Sequence, residues 1–167
     1  STKPIYVDAN QGWPTKEHAL KMCQWLTEQG VVLIEQPMPK HMNEEHAWLC
    51  EQVELPIIAD EACQTYADVA GLQPYYDGIN IKLMKCGGVA EARKMIALAR
   101  ELGMQVMIGC MTETSAGISA ATTLSPLVDY ADLDGHVLLA NDPYEGIQLV
   151  DGKLTLVNKP GTGVTPL

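Results

Sequence analysis

No stretch of this 167-residue chain comes near the roughly 20 consecutive apolar residues that cross a bilayer as a helix. The opening STKPIYVDAN lacks the basic, apolar and small-residue order of a secretory leader. A membrane is therefore not an expected partner. Positive charge is also scarce. Lys and Arg number 11 against 21 Asp and Glu, for a net charge of −10. Proteins that bind the nucleic-acid backbone concentrate cationic side chains, so nucleic acid is not an expected partner either. An acidic surface is compatible with a cation site and with plain solvation. No pair among Cys23, Cys50, Cys63, Cys86 and Cys110 has CxxC spacing. That leaves no zinc pattern and reads as reduced thiols in a cytoplasmic protein. No glycine-rich loop follows any apolar run, so the P-loop and the dinucleotide fingerprint are both missing. No linker or low-complexity stretch divides the chain, and its length suits one domain with a real core.

What is present is a repeated unit of short apolar strand, polar turn and amphipathic helix. Ile5 to Val7 reads as a strand. Thr15 to Gln29 reads as a helix, with Ala19, Cys23 and Leu26 on one face and Gly30 as its stop. A strand follows at Val31 to Ile34, and Asn43 is placed to cap a helix through Trp48 and Leu49. Leu55 to Ala59 is the third strand. Thr65 and Asp68 resemble a capping box for a short helix ending near Leu72. Strands at Gly78–Leu83, Gln105–Ile108 and Tyr130–Leu133 alternate with helices at Val89–Leu102 and Ser115–Leu124. The repeat of about 25 residues suits parallel strands joined by helical crossovers. The strands are continuously apolar, as in a sheet covered on both faces. After Pro143 the rhythm changes, and Gly146–Val150, Asp151-Gly152 and Lys153–Val157 read as a hairpin on a type I′ turn. The fold class is α/β. Six strands would suit an open doubly wound sheet, or part of a (β/α) barrel that closes with eight.

The residues that end the strands carry the chemistry. Asp8, Glu35 and Asp60 end the first three, Lys82 lies near the end of the fourth, and Asp132 and Asp134 follow the sixth. In parallel βα folds these ends share one face, and that face is the active site. Each acid alone could be a helix cap or a solvated turn residue. Three at equivalent places would repel one another unless a hard divalent cation such as Mg²⁺ lay between them. A lysine beside such a cation has its pKa lowered and can act as a base. Asn10 and Gln36 are placed to position the ligands from behind. Lys85 is expected to pack or pair outside the reacting centre. His18, His41 and His46 are expected on helix surfaces or loops, His136 at the surface, and Trp25 and Trp48 in the core.

Five strings taken together are specific: VDANQGW at 7–13, IEQPMP at 34–39, ADEA at 59–62, NIKLMKCGG at 80–88 and DLDG at 132–135. In this order and spacing the chain resembles the muconate-cycloisomerase subgroup of the enolase superfamily, and within it the dipeptide epimerases of the L-Ala-D/L-Glu type. The resemblance implies a modified TIM barrel, with residues 1–143 forming roughly its strands three to eight. Residues 144–167 would form a hairpin and tail that pack toward a capping domain. It implies Asp8, Glu35 and Asp60 as Mg²⁺ ligands and Lys82 as the acid/base on one face of the substrate α-carbon. It also implies that Asp132 and Asp134 hold the α-ammonium of a dipeptide. GCMTETSAG at 109–117 resembles a pocket loop, with Glu113 its substrate-facing candidate.

The family's capping domain, its first two barrel strands and the K-x-K lysine pair on the second have no counterpart here; no K-x-K occurs in these residues. The expectation is a fragment that does not epimerise dipeptides by itself, and that forms a homo-oligomer or pairs with the part carrying those strands. A cycloisomerase or an o-succinylbenzoate-synthase-like enzyme of the same subgroup is the alternative enzyme. A non-catalytic half-barrel is the alternative of another class. The Asp132 and Asp134 pair favours a cationic amine substrate over a dianionic muconate.

Overall fold

A computed structural model describes residues 3–167. Six parallel strands form one sheet in sequence order: β1 (Ile5–Asp8), β2 (Val31–Glu35), β3 (Ile57–Ala59), β4 (Gly78–Lys82), β5 (Gln105–Gly109) and β6 (Tyr130–Ala131). Between them run α1 (Lys16–Glu28), α2 (Asn43–Gln52), α3 (Tyr66–Leu72), a short α4 (Leu83–Cys86), α5 (Val89–Glu101) and α6 (Ser115–Thr122). Consecutive strands are neighbours throughout, so the sheet is singly wound, as in a barrel, and not doubly wound.

The sheet curls strongly. Tyr6 on β1 and Tyr130 on β6, the two outermost strands, meet edge to face with ring centroids 5.5 Å apart. Strand alternation sorts the side chains into two layers. Ile34, Ile57, Ala59, Ile79, Ile81, Val106 and Ile108 pack outward, in the same core as Ala19, Cys23, Leu49, Val69, Ala92 and Met95 of the helices. Leu33, Ile58 and Met107 form a smaller inner core with Tyr130 packed against it. The continuous apolar strands of the sequence reflect these two cores.

Several local expectations hold for physical reasons visible in the chain. Thr15 caps α1 by accepting from the His18 N–H. Asp68 accepts from the Thr65 N–H at 2.7 Å, closing the capping box of α3. Gly103, at φ 73°, ends α5 in the left-handed conformation that glycine takes without a Cβ penalty. Asp151 and Gly152 both have positive φ, as a type I′ hairpin turn requires, between β8 (Gln148–Val150) and β9 (Lys153–Thr155). A further pair, β7 (Tyr144–Glu145) with β10 (Thr165–Pro166), folds the tail back antiparallel.

Other expectations need correction. Asn43 is the first residue of α2, not its cap, and Met42 stands at the cap position without a side-chain bond. Trp25 is 52% exposed, because it lies off the Ala19–Cys23–Leu26 face of α1. Trp48 is half-buried, with the Lys16 ammonium 4.8 Å above its ring. His46 is fully buried, since it shares a helix face with Leu49 three residues on. His136 is half-buried in a 3-10 turn, Gly135–Leu138, and not at the open surface.

Candidate active site

The alternation that builds the inner core also builds the mouth. Two residues beyond the inward Tyr6, Leu33, Ile58 and Tyr130 come Asp8, Glu35, Asp60 and Asp132, and Lys82 is two beyond Asn80. A period of two keeps all of them on the inner side, at the C-terminal end of the sheet. Asp8 and Glu35 are register partners on adjacent strands. One carboxylate oxygen from each of Asp8, Glu35 and Asp60 lies within 4.8 Å of the others.

Each carboxylate has its own support. Asn10 accepts a left-handed φ of 46° and gives both its backbone N–H and its side-chain amide to Asp8, at 2.8 and 2.7 Å. Asn80 gives its Nδ2 to Glu35 Oε1 at 2.6 Å. Gly109 makes this possible, because a Cβ there would sit 2.6 Å from the Asn80 amide. Lys82 Nζ donates to Asp60 Oδ2 at 2.7 Å and lies 3.9 Å from Glu35 Oε1. Lys85 Nζ donates to the other Asp60 oxygen at 2.5 Å and to the Asp60 carbonyl at 2.7 Å. Lys85 thus pairs with a candidate ligand itself, contrary to its expected place outside the centre. Gln36, fully buried, accepts from the backbone N–H groups of Asp60 and Ala62.

The electrostatics follow from burial and crowding. Burial pushes the Glu35 carboxyl up to about 7, and the Asp60 and Asp8 charges add to that against the Asn80 hydrogen bond. Asp8 is raised for the same first reason, with Asn10 opposing. For Lys82, burial acts to lower the pKa, but the Asp60 hydrogen bond and the surrounding carboxylates outweigh it and hold the ammonium above its usual range. Beside the carboxylates alone, then, Lys82 shifts opposite to the direction expected beside a cation.

The donor set fits a hard divalent ion. All the ligand atoms are carboxylate oxygens, mutually within coordinating reach, and Glu35 commits Oε1 alone to Asn80. The buried Asn80 Oδ1, which has no hydrogen-bond partner among the described residues, adds a further acceptor beside them.

Asp132 and Asp134 flank the buried Leu133 in sequence and are both exposed. Although Asp132 as a whole is exposed, its carboxylate is partly withdrawn from water in the mouth, which raises its pKa; the Asp134 charge raises it further, with Lys82 opposing. Glu113 is turned beneath the loop. It is 9% exposed, accepts the Met111 N–H at 3.1 Å, and lies so close to Gly117 that any Cβ there would collide with its Oε2. Sequence reading missed Asn80, Lys85, His46 and Tyr76. The first two carried a signal: Asn80 shares the inward parity of Lys82, and Lys85 follows Lys82 by one helical turn.

This curled, singly wound βα sheet thus sets a lysine among three carboxylates at its C-terminal mouth, and a lysine base beside a hard divalent cation is a pattern of enolase-superfamily sites. The chain belongs to the enolase C-terminal domain-like family, which matches residues 1–167. It is 56% identical over 161 residues to an L-Ala-D/L-Glu epimerase of Bacteroides thetaiotaomicron, covering 96% of this chain and 42% of that protein. It is 46% identical over 160 residues to an L-Ala-D/L-amino acid epimerase of Pedosphaera parvula, covering 95% of this chain and 46% of the other. The crystal structure of a dipeptide epimerase from Enterococcus faecalis, complexed with Mg and L-Leu-L-Tyr, superposes with a TM-score of 0.89 at 37% identity, over 97% of this chain and 48% of that one. The chain spans less than half the length of each of these proteins. Among the described residues no helix is long and apolar enough to cross a membrane.

Proposed function

We propose that this chain supplies the carboxylate and lysine side of the active site of a Mg²⁺-dependent dipeptide epimerase, which inverts an α-carbon next to a carboxylate. The observation that carries the reading is the convergence of Asp8, Glu35 and Asp60 within 4.8 Å with the Lys82 ammonium beside them. The names of the relatives support the substrate class.

Asp8, Glu35 and Asp60 would hold Mg²⁺, with Asn10, Asn80, Gln36 and Lys85 fixing their geometry. Bound there, the ion would stabilise the negative charge that develops on the substrate carboxylate. With Mg²⁺ held by the three carboxylates, the Lys82 ammonium would be disfavoured; Lys82, freed from Asp60 and with one proton passed to solvent, would take the α-proton on one face as a neutral amine and return a proton to that face. Asp132 and Asp134 hold the substrate's α-ammonium by charge-assisted hydrogen bonds, and Glu113 lines and shapes the adjoining loop. Inversion also needs an acid/base on the opposite face, and no K-x-K pair among these residues offers one. In this reading it comes from the further length that the relatives possess, which would also pair with the open strands β1 and β6. Five free thiols agree with a cytoplasmic setting.

The test is α-proton exchange. Protein, Mg²⁺ and an Ala-Glu-type dipeptide are incubated in deuterated water, and deuterium at the α-carbon is read by mass and epimerisation by polarimetry. Exchange that stops on chelation is expected. Turnover of a muconate-type dianion without exchange of any dipeptide would assign the chain to the cycloisomerase side of the subgroup.

A further inference from the structure

Three buried polar residues lie on the helix side of the sheet, behind the mouth. Gln36, His46 and Tyr76 are 0%, 0% and 4% exposed; Gln36 directly follows β2, His46 lies in α2, and Tyr76 lies in the loop between α3 and β4. We infer that His46 and Tyr76 are positioning residues that set the place of Asp60 through the side chain of Gln36.

The hydrogen bonds fix every orientation. Gln36 Oε1 accepts from Asp60 N at 3.0 Å and Ala62 N at 3.1 Å. Its Nε2 faces the Met38 carbonyl at 3.1 Å, the Tyr76 hydroxyl at 2.9 Å and His46 Nε2 at 3.5 Å. His46 Nδ1 lies 2.7 Å from the Met42 carbonyl, which can accept and never donate. Nδ1 therefore carries the ring proton, and Nε2 turns a lone pair toward the Gln36 amide. The Tyr76 ring lies on His46 with centroids 4.6 Å apart. Acceptors surround the nitrogen end of the amide and donors its oxygen end, so one flip satisfies the site. Reversing the amide would set its NH₂ against two backbone N–H groups.

Gln36 also holds φ at 33°, a left-handed backbone that an L-residue keeps where its surroundings over-determine it. Gln36 follows Glu35 directly and grips the N–H of Asp60. The relative position of these two carboxylates is thereby set by an amide that His46 and Tyr76 orient.

The test compares purified wild-type protein with Tyr76→Phe, His46→Leu, His46→Gln and Gln36→Met. Hydrogen exchange at the amides of Asp60 and Ala62, Mn²⁺ affinity by titration calorimetry and the melting temperature are measured. In Tyr76→Phe and His46→Leu these two amides should exchange about tenfold faster than the rest of the sheet, with Mn²⁺ affinity down by about tenfold. Gln36→Met should lose more, up to about 100-fold in affinity. His46→Gln, which restores an acceptor, should return toward wild type. A lower melting temperature with uniform exchange and unchanged Mn²⁺ affinity would overturn the inference, since that is what a purely structural role gives. The affinity readout rests on the proposed metal function and the exchange readout does not. Selective exchange at Asp60 and Ala62 in a protein that binds no Mn²⁺ would therefore uphold the brace and sink the metal reading. If Gln36→Met fails to fold, Tyr76→Phe, which keeps the ring, decides alone.

Discussion

On one side of the mouth, Asp8, Glu35 and Asp60 are each gripped: Asn10 holds the first, Asn80 the second, and Lys82, Lys85 and Gln36 the third. On the other side, the Asp132 and Asp134 carboxylates take no side-chain hydrogen bond among the described residues. That turn is tied down mainly through its backbone: Asp132 N–H to the Ile108 carbonyl, and Val137 N–H to the Asp134 carbonyl. The contrast matches what each side would bind. A small hard ion demands oxygens at fixed short distances, which requires prior organisation. An ammonium is a point charge with rotatable donors and tolerates looser partners. In the proposed enzyme, the braced side is therefore where geometry would decide function, and the unbraced side where charge would.

The largest effect should come from a residue on the braced side that does not hold the ion. In an enzyme completed by the opposite-face acid/base, Lys82→Ala should lower α-proton exchange from one substrate stereoisomer by about 10²–10⁴-fold. Lys85 still pairs with Asp60 in that variant, so calorimetry should find divalent-ion binding retained. Near-normal exchange from both stereoisomers would place the base elsewhere.

The next effect separates the two sides by charge. In the same completed enzyme, replacing Asp132 and Asp134 together by Asn should raise KM for a dipeptide by about 10–100-fold, the worth of one to two charged hydrogen bonds. The melting temperature should hardly move, because neither side chain takes a hydrogen bond among the described residues. An N-acetylated dipeptide, which has no ammonium, should give the same KM with both proteins. A variant that discriminates against the acetylated substrate as strongly as wild type does would remove the pair from ammonium recognition.

The braced side should also carry a pH signature. Glu35 is held at about 7, above its ordinary 4.5, chiefly by burial. For an acid raised in the fold, stability is full below the unfolded value and is lost as pH rises through the folded one. With divalent ions chelated, stability should therefore fall between about pH 4.5 and 7, by on the order of 3 kcal/mol. Glu35→Gln should flatten that slope, and Mg²⁺ should abolish it in the native protein. A melting temperature that climbs over this window would contradict the crowding of the three carboxylates.

The braced side was largely legible in the chain, and the reason is periodicity. Strand alternation followed by an acid is a one-dimensional signal, so Asp8, Glu35, Asp60 and Lys82 could be assigned to one face from order alone. Their supports were less legible, because they act across distance. Gln36 reaches Tyr76 over 40 positions and Asn80 reaches Glu35 over 45. His46 looked like a surface residue because α2 is only weakly amphipathic, with charged Glu44 and Glu45 beside it. The inward turn of Glu113 depends on Gly117 four residues on, which reads in sequence as one small residue among several.

The smallest expected effect tests whether the unbraced side is supported from behind. Asp142 accepts from the Ser115 N–H and hydroxyl at 2.6 Å each and from the Tyr144 N–H at 3.1 Å. It thus caps α6 from the far side of the acidic turn and ties the tail to that helix. Behind the same turn, the Met111 carbonyl packs so closely on Gly135 that any Cβ there would collide with it, and Glu113 holds the Met111 N–H. Asp142→Ala should cost about 1 kcal/mol of stability, as loss of a helix cap does. Because α6 begins two residues after Glu113, the loosened loop should raise KM for a dipeptide a few-fold. Ser115→Ala, which keeps the N–H bond to Asp142, should do less on both counts. Mn²⁺ affinity should stay at the wild-type value in both variants, since no ligand support passes through α6. A loss of metal affinity as large as the change in KM would show that the two sides are one coupled unit, and the division between a rigid cation site and a compliant ammonium site would fall.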